Sequence, residues 1–261
     1  MHTIRNYIMA ESLEQAWELN QKGRNNVIIG GNLWLKMGNR NILNAIDLST
    51  LGLDCIEEDE SGFRIGCMAT LRDIEMHEGL NKEFQNLFKE AVRHIVGVQF
   101  RNCATVGGSI FPKLGFSDVL TAFLACDTQV ILYKKGEVSL REFIYMPLDN
   151  DILTHIYVKK DGRKTAYESF RMTETDFPTL TCAMAMVDGH FETALGARPK
   201  HAEVVIDEKL ADSLSKEDVA SYAKRVIDKL QYGSNIRGSK QYRKQLSKVL
   251  ISRCISRLTE E

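Results

Sequence analysis

The spacing of apolar positions changes along the chain, and each change marks an element. The opening reads strand, helix, strand. Ser12-Leu13-Glu14-Gln15 is a capping box ahead of Ala16, Trp17 and Leu19 on one helical face, and Lys22-Gly23 supplies a basic last turn and a glycine stop. Val27-Ile28-Ile29 is a short apolar strand that runs straight into Gly30-Gly31-Asn32; a helical turn over Leu33 to Met37 and a strand over Asn44 to Leu48 follow. Cys55 to Glu58 and Gly62 to Cys67 flank an acidic turn and predict a hairpin, after which Thr70-Leu71-Arg72-Asp73 caps a helix. Phe84, Leu87, Phe88 and Ala91 share a face and predict a helix over 84–92. Asp118 to Leu124 reads as an apolar helix and Gln129 to Tyr133 as a strand. Strands are expected near 165–170 and 181–187, then helices near 216–230 and 240–255. The turn Lys159-Lys160-Asp161-Gly162-Arg163 is the natural boundary before this last region.

Composition narrows the function classes. With 261 residues, 44% of them hydrophobic, the chain can bury one large core or two smaller ones. A formal net charge of −1 gives no bulk attraction for nucleic acid. Apolar runs such as Val119–Ala125 fall far short of the roughly 20 residues a membrane span needs, and no apolar segment of signal-peptide type accompanies Arg5. The six cysteines (Cys55, Cys67, Cys103, Cys126, Cys182, Cys254) contain no C-x-x-C pair. Reduced thiols in a cytoplasmic protein are therefore expected, with neither an iron–sulfur cluster nor structural zinc held by this chain alone. The histidines show no metal spacing, and no Ser-His-Asp, Cys-His or paired-carboxylate arrangement can be placed.

Two glycine pairs carry the remaining chemistry. Gly30-Gly31 stands at the exit of a buried strand, where free backbone N–H groups can form an anion-binding nest. It is neither G-x-G-x-x-G nor a P-loop, and a plain tight turn remains the alternative. Gly107-Gly108 is flanked by the hydroxyls of Thr105 and Ser109 and followed by Ser117-Asp118. Backbone N–H groups and hydroxyls suit a diphosphate, and a carboxylate suits a polyol. Asp118 could instead cap the helix that follows it.

These residues resemble the FAD-binding subunit of the molybdenum hydroxylases, the xanthine dehydrogenase and carbon monoxide dehydrogenase group, whose flavin domain is of the para-cresol methylhydroxylase type. Ile28-Ile29-Gly30-Gly31-Asn32-Leu33 is similar to the family's first pyrophosphate loop. The run Arg101-Asn102-Cys103-Ala104-Thr105-Val106-Gly107-Gly108-Ser109-Ile110 is similar to the second, and Ser117-Asp118 to the pair whose Asp holds the ribityl chain. Phe170-Arg171 with Asp176-Phe177 resembles the segment beside the flavin. Leu195-Gly196-Ala197-Arg198-Pro199 and Ile236-Arg237-Gly238-Ser239 with Tyr242-Arg243 resemble C-terminal signatures. Departures are Asn32-Leu33-Trp34 in place of Thr/Ser-Asp-Leu, Ile95 where an aromatic is common, and a bulkier Phe111–Phe116 stretch.

The resemblance implies an α+β fold: two α/β subdomains sandwiching FAD, about 1–53 and 54–162, plus a C-terminal α+β domain over 163–261. It assigns Val27, Ile28, Ile29, Gly30, Gly31, Asn32 and Leu33 to the pyrophosphate and adenosine half. Thr105, Gly107, Gly108 and Ser109 are assigned to the pyrophosphate and ribityl region, Asp118 to ribityl hydroxyls, and Leu153 and Arg171 to the flavin ring. Arg171 would favour negative charge on the reduced ring, or else pair with Glu168 or Glu174 at the surface. Phe177 would pack near the ring or in the core. The basic residues Arg237, Lys240, Arg243, Lys244 and Lys248 read as a solvated face or a dock for an acidic partner. The implied function is electron transfer from [2Fe–2S] clusters on a small subunit through FAD to NAD⁺ or another acceptor. Substrate would be oxidised at molybdopterin on a large subunit. A nucleotide-binding assembly subunit that keeps the fold without electron transfer is the alternative.

Overall fold

The computed structural model describes residues 3–207 and 215–259. In chain order the first elements are β1 (Thr3–Met9), α1 (Leu13–Gln21), β2 (Asn26–Ile29), β3 (Asn41–Asp47), β4 (Ile56–Glu58) and β5 (Gly62–Gly66). Next come α2 (Leu71–Met76), α3 (Glu78–Glu83), α4 (Leu87–Val92), α5 (Val98–Arg101), α6 (Val106–Ile110) and α7 (Asp118–Leu124). Then follow β6 (Thr128–Leu132), β7 (Gly136–Ser139), α8 (Leu140–Phe143), β8 (Leu153–Lys159), β9 (Lys164–Arg171) and β10 (Pro178–Val187). The last are β11 (His190–Gly196), β12 (Glu203–Asp207), α9 (Lys216–Lys229) and α10 (Lys240–Thr259). The chain divides into two compact units interleaved in sequence. One is Met1–Asp73, Val98–Pro112 and Thr128–Val158; the other is Ile74–Gly97, Lys113–Asp127 and Lys159–Glu261.

The first unit holds two sheets. One is parallel, ordered β1-β3-β2; parallel strands need crossover connections, and α1 lies in the one that carries the chain from β1 to β2 on the far side of β3. Ser12 Oγ accepts the Gln15 N–H at 3.1 Å, and Gln15 Oε1 reaches back past the cap to accept the Glu11 N–H at 2.7 Å. Ile29, Ile42 and Ala45 make a small core with Ile4, Val27 and Leu35 against it. Val27 and Ile29 therefore alternate onto one face and serve the sheet. The second sheet runs β4-β5-β8-β6-β7. Its acidic turn is capped from within: Asp59 Oδ1 accepts the N–H groups of Ser61 at 2.7 Å and Gly62 at 2.8 Å.

The second unit is built on an antiparallel sheet, β12-β11-β10-β9. Leu180, Cys182 and Met184 of β10 form its core with Val226 and Ile227 of α9 and Leu250, Ile251 and Cys254 of α10. The opposite face of β10 meets α7, where the Thr121 and Thr181 hydroxyls lie 2.9 Å apart.

Two expectations need correction. The helix expected from Phe84 begins at Leu87, because Gln85 and Asn86 take φ of 44° and 62°. Asn81 stitches that break: its Nδ2 donates to Ile74 O and His77 O, each at 2.9 Å, and its Oδ1 accepts the Lys89 N–H at 3.1 Å. Arg243 does not belong to an exposed basic face. It is wholly buried and heads a stripe continued by Ser247, Leu250, Ile251, Cys254, Ile255 and Leu258. Its Nε donates to Thr179 O at 2.9 Å, Nη1 to Gly233 O at 3.1 Å and to Gly238 O, and Nη2 to Asn235 Oδ1 at 2.6 Å. Arg198 is a second buried clamp, with Nε on Leu195 O at 3.0 Å and Nη2 on Glu203 Oε1 at 3.0 Å. The two C-terminal arginine motifs thus fasten loops.

Candidate functional site

In the first unit the two glycine loops meet. β2 ends at Ile29 and the chain turns through Gly31 and Asn32, with φ of 68° and 56°. A Cβ on Gly30 would overlap Thr105 Oγ1, and one on Gly31 would overlap the Cys103 carbonyl oxygen and lie 2.7 Å from its carbon. A Cβ on Gly108 would come within 2.9 Å of Thr105 Oγ1 and 3.3 Å of Gly30 O. Three of these glycines therefore permit loop-to-loop contact. Trp34 braces the junction by packing edge-on against Phe100, with ring centroids 5.1 Å apart.

The loops differ in what they leave open. The N–H groups of Gly31, Asn32 and Leu33 have no hydrogen-bond partner among the described residues. Asn32 Oδ1 is buried and also lacks one. These donors and this acceptor make the loop a candidate for holding a polar ligand. The second loop is not the open nest expected from its glycines. It is the start of α6, where Thr105 is the N-cap and its Oγ1 accepts the Gly108 N–H at 3.1 Å. The Val106 and Gly107 N–H groups donate to Ala69 O and Cys67 O, each at 2.9 Å. The Ser109 hydroxyl donates back to Thr105 O at 2.9 Å. Gly107 is glycine because a Cβ would stand 2.7 Å from both Cys67 Cβ and Cys67 O. Leu153 is buried at the start of β8, one residue from Thr154, whose carbonyl accepts the Cys67 N–H at 2.8 Å.

In the second unit Ser117, not Asp118, caps α7: its Oγ accepts the Leu120 N–H at 3.0 Å. Asp118 is released for another task and is 4% exposed. Its Oδ1 accepts from Tyr167 OH and from Arg171 Nη2, both at 2.6 Å. Arg171 pairs with Asp118 rather than with Glu168 or Glu174; its Nη1 donates to Asp176 O at 2.9 Å, and its buried Nε has no partner. Burial pushes the Asp118 carboxyl above its ordinary range, against the pull of Arg171 and Tyr167. Burial and the adjacent Asp118 push the Tyr167 phenol well above its own. Burial disfavours the Arg171 cation, but Asp118 outweighs it and keeps the guanidinium charged. Phe177 is half-buried, edge-on to Phe116 at 4.4 Å and under the Arg237 guanidinium at 4.9 Å, while Arg237 Nη2 holds Asp176 Oδ1 at 2.8 Å. Tyr167 escaped the sequence reading. Its signal was its place on β9, an even number of residues before Arg171 and so on the same face.

Helices and several sheets, parallel and antiparallel, give the chain a mixed α/β build. Residues 2–158 match the family described as the FAD binding domain in molybdopterin dehydrogenase, and the chain belongs to that family of oxidoreductase proteins. It is 29% identical over 271 residues to the glyceraldehyde dehydrogenase medium chain of Sulfolobus acidocaldarius, with 94% of each chain covered. It is 23% identical over 283 residues to the 6-hydroxypseudooxynicotine dehydrogenase complex subunit alpha of Paenarthrobacter nicotinovorans, covering 96% of this chain and 93% of that one. Among solved structures it matches a chain of carbon monoxide dehydrogenase from Hydrogenophaga pseudoflava with a TM-score of 0.87 and 24% identity, covering 97% and 96%. A chain of quinoline 2-oxidoreductase from Pseudomonas putida 86 gives 0.86 at 18% identity, covering 97% and 96%. At these identities the structural matches establish the fold. No helix among the described residues is long and apolar enough to cross a membrane.

Proposed function

We propose that this chain is the FAD-binding, electron-transferring subunit of a molybdenum hydroxylase complex, beside a molybdopterin-binding large subunit and a small [2Fe–2S] subunit. The family match over residues 2–158 and the likeness to a dehydrogenase medium chain and a dehydrogenase complex subunit support this reading. The observation that carries it is the first loop, with free N–H groups at Gly31, Asn32 and Leu33 beside the orphaned Asn32 Oδ1.

The residues suit FAD in kind: free donors for a diphosphate, and an acceptor and a donor without partners for hydroxyl and ring groups. Val27 to Leu33 would hold the diphosphate and adenosine half through the loop backbone. Thr105, Gly107, Gly108 and Ser109 would support that loop and keep its Asn32 turn in place. Asp118 would accept from ribityl hydroxyls, Leu153 would exclude water from the ring, and Arg171 would donate to it through Nε. FAD supplies the redox chemistry that joins one-electron clusters on a partner to a two-electron acceptor, for which NAD⁺ is the candidate. The test is the flavin content and visible spectrum of the purified full chain. One FAD per chain and anaerobic bleaching by NADH are expected. A colourless chain that cannot be reconstituted with FAD overturns the reading, and a flavin that NADH leaves oxidised removes NAD⁺ from it.

A further inference from the structure

We propose that Tyr167 is a positioning residue for the flavin nucleotide and acts through Asp118, an inference that rests on the function proposed above. The hydroxyl and the Arg171 guanidinium converge on one oxygen, Oδ1, at 2.6 Å each. Asp118 Oδ2 takes no side-chain donor among the described residues. A carboxylate held twice by one oxygen cannot turn about its Cβ–Cγ bond without breaking two hydrogen bonds. The direction of its second oxygen is therefore set by Tyr167 together with Arg171. The same contacts leave Arg171 Nε buried and without a partner. An unmatched donor, Arg171 Nε, then stands beside a carboxylate held twice by one oxygen, an arrangement suited to a ligand that carries hydroxyl and carbonyl groups.

The phenol is not explained as core filling. Tyr167 is 4% exposed, and a phenylalanine would occupy the same volume without burying a hydroxyl that needs a partner. Tyr167 also lines a polar cavity of about 210 Å³ with Arg93, His94, Glu168 and Arg257. The Glu168–Arg257 pair there is closed at 2.6 Å.

The experiment compares FAD affinity, by flavin fluorescence quenching, and apo-protein melting for the full-length wild type, Tyr167→Phe, Asp118→Ala and the double variant. Tyr167→Phe is expected to raise the FAD dissociation constant about tenfold, equivalent to about 1.4 kcal/mol, and to alter the bound flavin's visible circular dichroism. The double variant should bind no worse than Asp118→Ala alone, because the hydroxyl acts through that carboxylate. If Asp118→Ala does not fold, Asp118→Asn takes its place, and the Tyr167→Phe affinity decides by itself. Wild-type affinity and spectrum in Tyr167→Phe would overturn the proposal, as would additive losses in the double variant. A loss of affinity that merely follows melting temperature across Tyr167→Phe and Tyr167→Leu would assign the residue to packing and also overturn it. Wild-type protein that binds no FAD would fell the functional reading first, a result distinct from these.

Discussion

Replacing Gly31 with alanine perturbs the point where the two loops of the first unit touch. The added methyl would overlap the Cys103 carbonyl oxygen and lie 2.7 Å from its carbon, against ordinary carbon contacts of about 3.5–4.0 Å. Its φ of 68° adds left-handed strain, about 1–2 kcal/mol for a residue with a Cβ. The overlap is with backbone, so the loops must part, a rearrangement of about 1–3 kcal/mol by the measure of overpacked cores. The sum is about 2–5 kcal/mol, or roughly 5–20 °C in melting temperature for a chain of this size. Gly23→Ala is the control, because a Cβ there meets nothing within 4 Å. The assay is thermal unfolding by circular dichroism with FAD content measured in parallel. Gly31→Ala should melt early and hold less flavin, and Gly23→Ala should stay within about 0.5 kcal/mol of wild type. A Gly31→Ala protein that melts with the wild type would refute the loop-contact reasoning. So would a Gly23→Ala protein that falls as far.

Arg243→Met should shift the urea midpoint by the equivalent of roughly 3–5 kcal/mol with an unchanged slope, since it strips donors from Thr179 O, Gly233 O, Gly238 O and Asn235 Oδ1; an unmoved midpoint would place the arginine at the surface after all. Arg237 hydrogen bonds hold the Asp176 carboxyl below its ordinary value of 3.8. A depressed carboxyl contributes stability that is complete above its unfolded value and is lost as pH falls through the folded one. Melting temperature of the wild type should therefore drop more steeply below about pH 4 than that of Arg237→Gln, and parallel acid limbs would dismiss the pair.

Much of the fold was legible because periodicity and caps are local. Ser12 caps α1 as its capping box predicts, and α7, α9 and α10 fall where apolar spacing puts them, although Ser117 rather than Asp118 caps α7. What local pattern could not convey was the long-range partner. The Phe84 helix is interrupted at Gln85 and Asn86, and Asn81 bridges the break by bonding residues on both sides. Arg243 looked solvated because its charge, not its position on the apolar stripe, was counted. The Gly30-Gly31 loop is recognisable from a strand running into glycines, whereas the partners of the second pair, Cys67 O for the Gly107 N–H and Thr105 Oγ1 for the Gly108 N–H, are not. Adjacent glycines signal close approach without saying to what, and Gly107 approaches Cys67.

Under the proposed function, the Asp118–Arg171 pair sets what the second unit would offer a nucleotide. An isolated guanidinium in a buried place would favour negative charge by a long-range field. With Asp118 Oδ1 at 2.6 Å from Nη2, the two opposite charges form a dipole whose field falls off steeply with distance. What remains is directional: one unmatched donor at Nε, beside a carboxylate whose Oδ1 is held by both Tyr167 and Arg171. Such a pair discriminates between ligands by where their donors and acceptors lie more than by their net charge. This makes geometry at Asp118, rather than the arginine's charge, the quantity on which flavin affinity should depend.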